Sequence, residues 1–486
     1  MHSNYVSFAI YFYIIADNCL KIQLYCKFMV VYKTNVHRTE YNFLSYHILY
    51  WIVRRQETFP LLFGGRQDFP LPVANNRGTH EHNPCKTYTG GFLMQSFEFK
   101  MPTEIIFGRH AEDRVAEKLR AYGASRVYIV YGGGSVVRSG LLSRIECQLT
   151  SGGLAFQVLG GVQPNPRVAL VREGIREALA FRANFILAVG GGSVIDSAKA
   201  IGYGCANDGD VWDFYAHTRQ AAACLPVGVI LTLSATGSEM SDSSVITKEE
   251  GWLKRGYNNN VCRPRFAIMD PQYTETLPPW QTACGCADIM MHTMERYFAK
   301  DGAMELTDRL AEGLLRTVMH NARLLLRDPG NYGARAEIMW AGSLSHNGLT
   351  GCGSDGGDWV CHRMEHEMGG LWDIAHGAGL CAIWGSWARY TYQHNLPRFY
   401  QFATNVMDVP PDPSAQEAVA RAGIEATEAF FKEIGMPTSF ADLKIHPTEA
   451  EIRTLAQKYA AAVGGNAGSA VKIGAAEAAE IYKMAL

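Results

Sequence analysis

"FILAVGGGSVIDSAK", residues 185–199, runs five apolar residues into three glycines and then into a stretch compatible with a helix. So short an apolar run, closed by glycine, reads as a strand buried on both faces. The glycines let a backbone approach a bulky anionic group, and the free N–H groups of the following helix favour negative charge there. The turn departs from G-x-G-x-x-G, and taken alone it could simply end a strand. Two similar turns accompany it. "RVYIVYGGGS" (126–135) is another strand running into glycines, and "VGVILTLSATGSE" (227–239) is a strand running into the hydroxyls of Thr232, Ser234, Thr236 and Ser238.

Amphipathic helical stretches fall between these runs: "RHAEDRVAEKLRAYG" (109–123), "RVALVREGIREALAFRA" (167–183) and "DSAKAIGYGCA" (196–206). "RFAIMDP" (265–271) adds a last short strand. Strands alternating with helices of this length predict a Rossmann-like α/β domain, a parallel sheet covered by helices on both faces. Ligands of such sheets bind beyond the carboxyl ends of the strands, where the three turns fall, so a phosphate-bearing cofactor is expected there.

After about Pro279 the strand signals stop. "CGCADIMMHTMERYF" (284–298), "TDRLAEGLLRTVMHNARLLLRD" (307–328), "ARAEIMWAGSLSHNGLTG" (334–351), "AQEAVARAGIEATEAFFKEIG" (415–435) and "TEAEIRTLAQKYAAAV" (448–463) all read as amphipathic helices. The expected organisation is an α/β domain over 94–279 and an all-helical domain over 280–486. The two should meet, with a cleft, around "DPQYTETLPPWQ" (270–281). Before Met94 there is no sustained period. The apolar opening "YVSFAIYFYIIAD" (5–17) is short for a membrane helix and lacks the basic and small-residue flanks of a signal peptide. "TGGFLM" (89–94) can be encoded with a purine-rich ribosome-binding sequence just before a start codon. Residues 1–93 are therefore expected to be a translated leader, with the working chain starting at Met94.

A length of 486 residues predicts two or three domains. A net charge of −2 without basic runs argues against nucleic acid and against an anionic membrane surface. Twelve cysteines scattered from Cys19 to Cys381, with no CxxC, favour a reducing cytoplasm. The lone C-x-C of Cys284 and Cys286 reads as small core residues near a helix start.

"HRMEHEMGGLWDIAHG" (362–377) holds His362, His366 and His376 among apolar residues. His362 and His366 are one helical turn apart and share a face, and Gly369, Gly370 and Asp373 are expected to turn the chain before His376. Upstream, Asp288 and His292 form D-x-x-x-H on a helix, placing carboxylate and imidazole on one face among Ala287, Ile289, Met290 and Met291. A carboxylate beside imidazoles in an apolar wall is costly unless a cation is present. One aspartate with histidines is an N/O set suited to Zn²⁺ or Fe²⁺ rather than Ca²⁺ or Mg²⁺.

With "GGGSVIDSAK", "TLSATGSE", "DPQYTETLPPWQ", "ADIMMHTMERY" and "HRMEHEMGGLWDIAHG" in that order, the chain from about Met94 to Leu486 resembles the iron-containing (group III) alcohol dehydrogenases. The likeness is to their butanol-dehydrogenase-like, NADP-dependent aldehyde reductase branch, with a dehydroquinate-synthase-like architecture. The resemblance implies Asp288, His292, His362 and His376 as ligands of one divalent cation, Fe²⁺ or Zn²⁺, and His366 near the substrate as a proton relay. It implies cofactor contacts at Gly133, Gly134, Ser135, Asn165, Gly191, Gly192, Ser193, Thr232 and Thr236, with Lys254 meeting a 2′-phosphate. The absence of an acid at Gly133–Ser135, with Arg138 nearby, leans toward NADP(H) over NAD(H). The C-terminal "GGNAGSAVKIG" (464–474) departs from the family pattern.

The expected activity is reversible hydride transfer between NADP(H) and a primary alcohol or aldehyde such as butanol or butyraldehyde, in a cytoplasmic homodimer. Rival readings are a polyol dehydrogenase or a dehydroquinate-synthase-like lyase on the same scaffold. The lyase would need more basic residues than the Arg296 and Arg363 of these motifs. A non-catalytic metal- or nucleotide-binding protein would need one half of the constellation broken, and neither half is.

Overall fold

The computed structural model describes residues 95–300 and 304–486, together with the backbone of two short strands near the start. Those strands, β1 (Ala9–Ile15) and β2 (Gln23–Met29), pair antiparallel within a separate compact unit over 1–86. The leader reading of 1–93 otherwise lies outside the described residues.

The second unit contains β3 (Glu104–Phe107), β4 (Arg126–Tyr131), β5 (Ala155–Leu159), β6 (Phe185–Gly190), β7 (Val227–Leu231), β8 (Ser243–Lys248), β9 (Leu253–Asn258) and β10 (Phe266–Met269). Six of them form one sheet in the order β3-β10-β7-β6-β4-β5, with every neighbouring pair parallel. The central strands β6 and β7 are buried along their whole length, which is why their sequences are unbroken apolar runs. Helices cover both faces, so this half is a doubly wound α/β layer structure.

Helix α1 (Gly192–Ala206) leaves β6 almost directly, four residues earlier than "DSAK" suggested. Gly192 is required there: a Cβ would come within 2.4 Å of the Thr236 side chain, so the turns after β6 and β7 press against each other. Two features were not anticipated. β5 is a partly exposed edge strand of mixed polarity, and β8 and β9 form an antiparallel hairpin of mostly polar residues. The hairpin packs on α1 through Tyr257 against Tyr203 and through Ile246, and it is also tied there by buried polar groups. Asp196 accepts from Ser238 Oγ (2.6 Å) and Val245 N (3.0 Å), and Lys199 Nζ donates to the carbonyls of Ser238 (2.7 Å), Ser241 (3.0 Å) and Ser243 (2.7 Å).

From Pro279 onward the regular secondary structure of the described residues is helical apart from one isolated bridge, Ala467 to Ile473. The helices that matter below are α2 (Pro279–Tyr297), α3 (Tyr332–His346), α4 (Val360–Trp372) and α5 (His376–Thr391). From Gly285 to Tyr297 every residue of α2 is buried, so it is the central helix of its half. The Glu449–Ala462 helix starts with a full capping box, Thr448 with Glu451. Among the described residues no helix is long and apolar enough to cross a membrane.

Residues 270–281 do not form the expected cleft. Asp270 is buried, receiving Gln272 N and His110 N, which anchors the segment to the sheet. A cavity lies elsewhere, among the strand-end turns, the hairpin and α2–α5.

Lys199 is fully buried with its ammonium on three carbonyls. Replacing it by Met keeps most of the volume and strands those acceptors together with the Asp196 charge. Lys199→Met is expected to cost about 3 kcal/mol of stability, read as a lower urea midpoint; an unchanged midpoint would mean the knot carries no stability.

Candidate active site

Asp288 and His292 project from one face of α2, His362 and His366 from α4, and His376 is the first residue of α5. The turn between α4 and α5 is made by Asp373, at φ 50°, and not by Gly369 and Gly370, which lie within α4. Gly370 instead allows the hairpin to approach: a Cβ there would meet Trp252 O at 2.6 Å. At Gly377 a Cβ would meet Cys284 O at 2.1 Å, so glycine lets the start of α5 lie directly on α2. That contact brings His376 to Asp288.

Three imidazole nitrogens surround one carboxylate oxygen. His292 Nδ1 (3.6 Å), His362 Nε2 (3.7 Å) and His376 Nε2 (3.6 Å) all face Asp288 Oδ1. Asp288 Oδ1, His292 Nδ1 and His362 Nε2 are buried and have no hydrogen-bond partner. The far nitrogens of two rings are committed to acids. His362 Nδ1 is 2.9 Å from Glu295 Oε1, and His376 Nδ1 donates to Glu365. A ring whose Nδ1–H is held by a carboxylate presents a lone pair at Nε2. Lone pairs and a carboxylate converging in a buried space need positive charge between them. At His362 burial alone would lower the pKa, but the carboxylates of Asp288 and Glu295 outweigh it and raise it to about 9, so the space between its Nε2 and Asp288 draws positive charge, either a proton or a cation that displaces it. The residues present therefore fit a divalent cation held by two, three or four of this mixed N/O set.

A second cluster, Glu365, His366 and His376, also brings donor atoms within 4.8 Å of one another. It fits a cation less well, because Glu365 is already paired with Lys254 Nζ (3.0 Å) and with His376. The His366 ring lies 5.9 Å from that of His376. Burial first, and then the charge of Lys254, hold His366 well below the usual histidine range, so its imidazole is neutral.

A cavity of about 450 Å³ joins the two halves. Asn165, Ser193 and Thr236 line it from the α/β side, and His292, His362, His366 and His376 from the helical side. Gly133, Gly134, Ser135, Gly191 and Thr232 are on turns beyond the strand ends and do not line it. Gly192 carries the Thr236 contact described above. Asn165 adopts φ 50° and donates to Asp373 Oδ1 (2.9 Å) and Ile374 O (3.3 Å), latching an α/β loop onto the turn that carries His376.

Lys254 departs from what the resemblance implies. It is buried on β9, bonded to both oxygens of Glu365 and 3.3 Å from His376 Nδ1. An ammonium so committed is not offered to a 2′-phosphate, and it lines the cavity at the histidine end, away from Gly133–Ser135. Glu295 and Glu365 escaped the sequence reading, as did His346 on α3, whose ring centroid is 4.0 Å from that of His292. A lone histidine in "SLSHNG" carries no local spacing that could have revealed it.

Residues 102–271 match the family model described as iron-containing alcohol dehydrogenase, and 282–486 match the C-terminal model of the same family. The chain belongs to the iron-containing alcohol dehydrogenase family. A similar protein is the NADH-dependent butanol dehydrogenase A of Clostridium acetobutylicum, 39% identical over 80% of this chain and 99% of the relative. The NADPH-dependent aldehyde reductase YqhD of Escherichia coli is 34% identical over 72% of this chain and 89% of its own. The crystal structure of NADH-dependent butanol dehydrogenase A from Thermotoga maritima superposes with a TM-score of 0.78 at 34% identity, covering 81% of this chain and all of that one. This chain is thus an NAD(P)-dependent, metal-dependent alcohol/aldehyde oxidoreductase.

In an iron-containing alcohol dehydrogenase of this geometry, Glu295 should matter to metal retention without touching metal. Glu295→Gln is expected to weaken cation affinity about 10- to 100-fold by loosening His362, measured by chelator competition. His362→Ala should lose the cation and His366→Ala should retain it; the reverse pattern would invert the assignment.

Proposed function

We propose that this enzyme reduces aldehydes of butyraldehyde type to primary alcohols with NADPH, using Asp288, His292, His362 and His376 to hold one Fe²⁺ or Zn²⁺. The observation that carries the reading is the set of unpartnered donors around Asp288 Oδ1, opening into the same cavity as Ser193 and Thr236. Metal dependence and cofactor-binding surface thereby meet in one space.

The overall change is R–CHO + NADPH + H⁺ → R–CH₂OH + NADP⁺. When bound, the nicotinamide supplies the hydride and the cation draws electron density from the carbonyl oxygen. The protein's own part is positional. Glu295 and Glu365 fix the tautomers of His362 and His376, so neither ring has to reorient during turnover. Glu365 is held well below the usual carboxylate range: burial would raise it, but His376 and Lys254 outweigh that. It therefore stays ionised and cannot release its ring. His366, neutral and on the cavity wall, can accept a proton at one nitrogen while releasing one from the other, linking the nascent alcohol oxygen to solvent.

The preference for NADPH rests on the turn after β4. Gly133, Gly134 and Ser135 place no acid there, and the Arg138 guanidinium folds back to within 3.3 Å of where a Gly134 Cβ would stand. A cation in place of an acid suits a 2′-phosphate. Lys254 takes no part in this.

NADPH oxidation by butyraldehyde, followed by absorbance, tests the activity, and removing metal with a chelator should abolish turnover while NADPH still binds. Arg138→Ala should raise the KM for NADPH about tenfold and leave that for NADH little changed; equal effects on both would remove Arg138 from cofactor choice.

A further inference from the structure

Arg296 stands one helical turn beyond His292 on α2 and is buried, only 9% exposed. Its Nη1 donates to His292 O (2.8 Å) and Ser345 O (3.0 Å), and Nη2 lies 3.4 Å from His346 Nδ1. Among the described residues no carboxylate lies within 4 Å of this guanidinium, although it lines the cavity that holds the histidines. The nearby acids are engaged elsewhere: Glu295 with His362 and Asp242 with Arg263 (3.6 Å). A buried charge is ordinarily paired, so one left unpaired beside a cavity is a place for an incoming anion.

The surroundings are built around it. Trp359, a bulky residue, is held at φ 61° in the left-handed region, which is costly without a compensating use. That backbone places its indole 4.6 Å from the Arg296 guanidinium, 5.8 Å from His346 and 5.3 Å from His362. Arg363, exposed and on the cavity wall, is a second guanidinium without a carboxylate partner among the described residues.

We propose that Arg296, with Arg363 at the rim, binds a carboxylate on the substrate, so that the preferred aldehydes are short ω-oxo acids. This rests on the aldehyde-reductase reading. The spacing sets the size: one helical turn, about 5.4 Å, separates the His292 level from the Arg296 level, which suits an oxo acid of about four carbons in all, with two methylenes between aldehyde and carboxylate. Arg296 binds and positions; it does not touch the reacting atoms.

The test compares 4-oxobutanoate with its methyl ester on the metal-loaded enzyme with NADPH. The free acid should have a kcat/KM at least about tenfold higher, mostly through KM, as a charge-assisted pair implies. In Arg296→Gln the acid-to-ester ratio should fall about tenfold. Should that variant fail to fold, Arg363→Ala, altered at an exposed side chain, should lower the same ratio. Succinate, and not succinamide, should raise the melting temperature of the wild-type protein, a readout independent of turnover. Equal kcat/KM for acid and ester, with both reduced, overturns the anion site and leaves the aldehyde-reductase reading standing. If the acid, the ester and butyraldehyde all fail, that underlying reading falls and the inference with it. If Arg296→Gln weakens NADPH binding while the acid-to-ester ratio is unchanged, the guanidinium serves a cofactor phosphate, which also overturns the proposal.

Discussion

One carboxylate oxygen, Asp288 Oδ1, faces three imidazole nitrogens at 3.6–3.7 Å in a buried space, and it has no hydrogen-bond donor of its own. Acceptors do not gather in this way without a positive charge to hold them. Much of the helical half can be read as the means of assembling that group. α2 supplies Asp288 and His292 one turn apart, α4 brings His362, and Gly377 lets α5 press on α2 closely enough for His376 to complete the ring of donors.

Charge is balanced outward from that centre in layers. Glu295 and Glu365 grip the far nitrogens of His362 and His376, and Lys254 on the hairpin neutralises Glu365. The hairpin in turn is anchored to α1 through Asp196 and Lys199, so the strand-end turns and the histidine cluster share one rigid polar frame. Asn165 adds a direct latch between the halves. A long-range chain of this kind explains how the cofactor-side surface and the metal-side surface can be held in register across one cavity.

Legibility in the sequence followed the range of the interactions. β6 and β7 were plain because strands buried on both faces must be apolar throughout, whereas β5 and the β8–β9 hairpin, on an edge or held by polar groups, have no such signature. Asp288, His292, His362 and His366 could be placed on helix faces from local spacing alone. The partners that orient them could not: Glu295 meets His362 across 67 residues and Lys254 meets Glu365 across 111. Lys254, which the resemblance assigns to a 2′-phosphate, is committed here to a buried carboxylate that no local pattern could reveal. Gly369 and Gly370 read as turn makers in the sequence, but their lack of side chains serves close packing against the hairpin inside a continuous helix.

Crystals grown with iron or zinc and measured at that metal's absorption edge test the central claim most directly. The account requires one strong anomalous peak per chain within bonding distance of Asp288, His292, His362 and His376. A peak between Glu365, His366 and His376 instead, or none at Asp288 in metal-replete active enzyme, would contradict it.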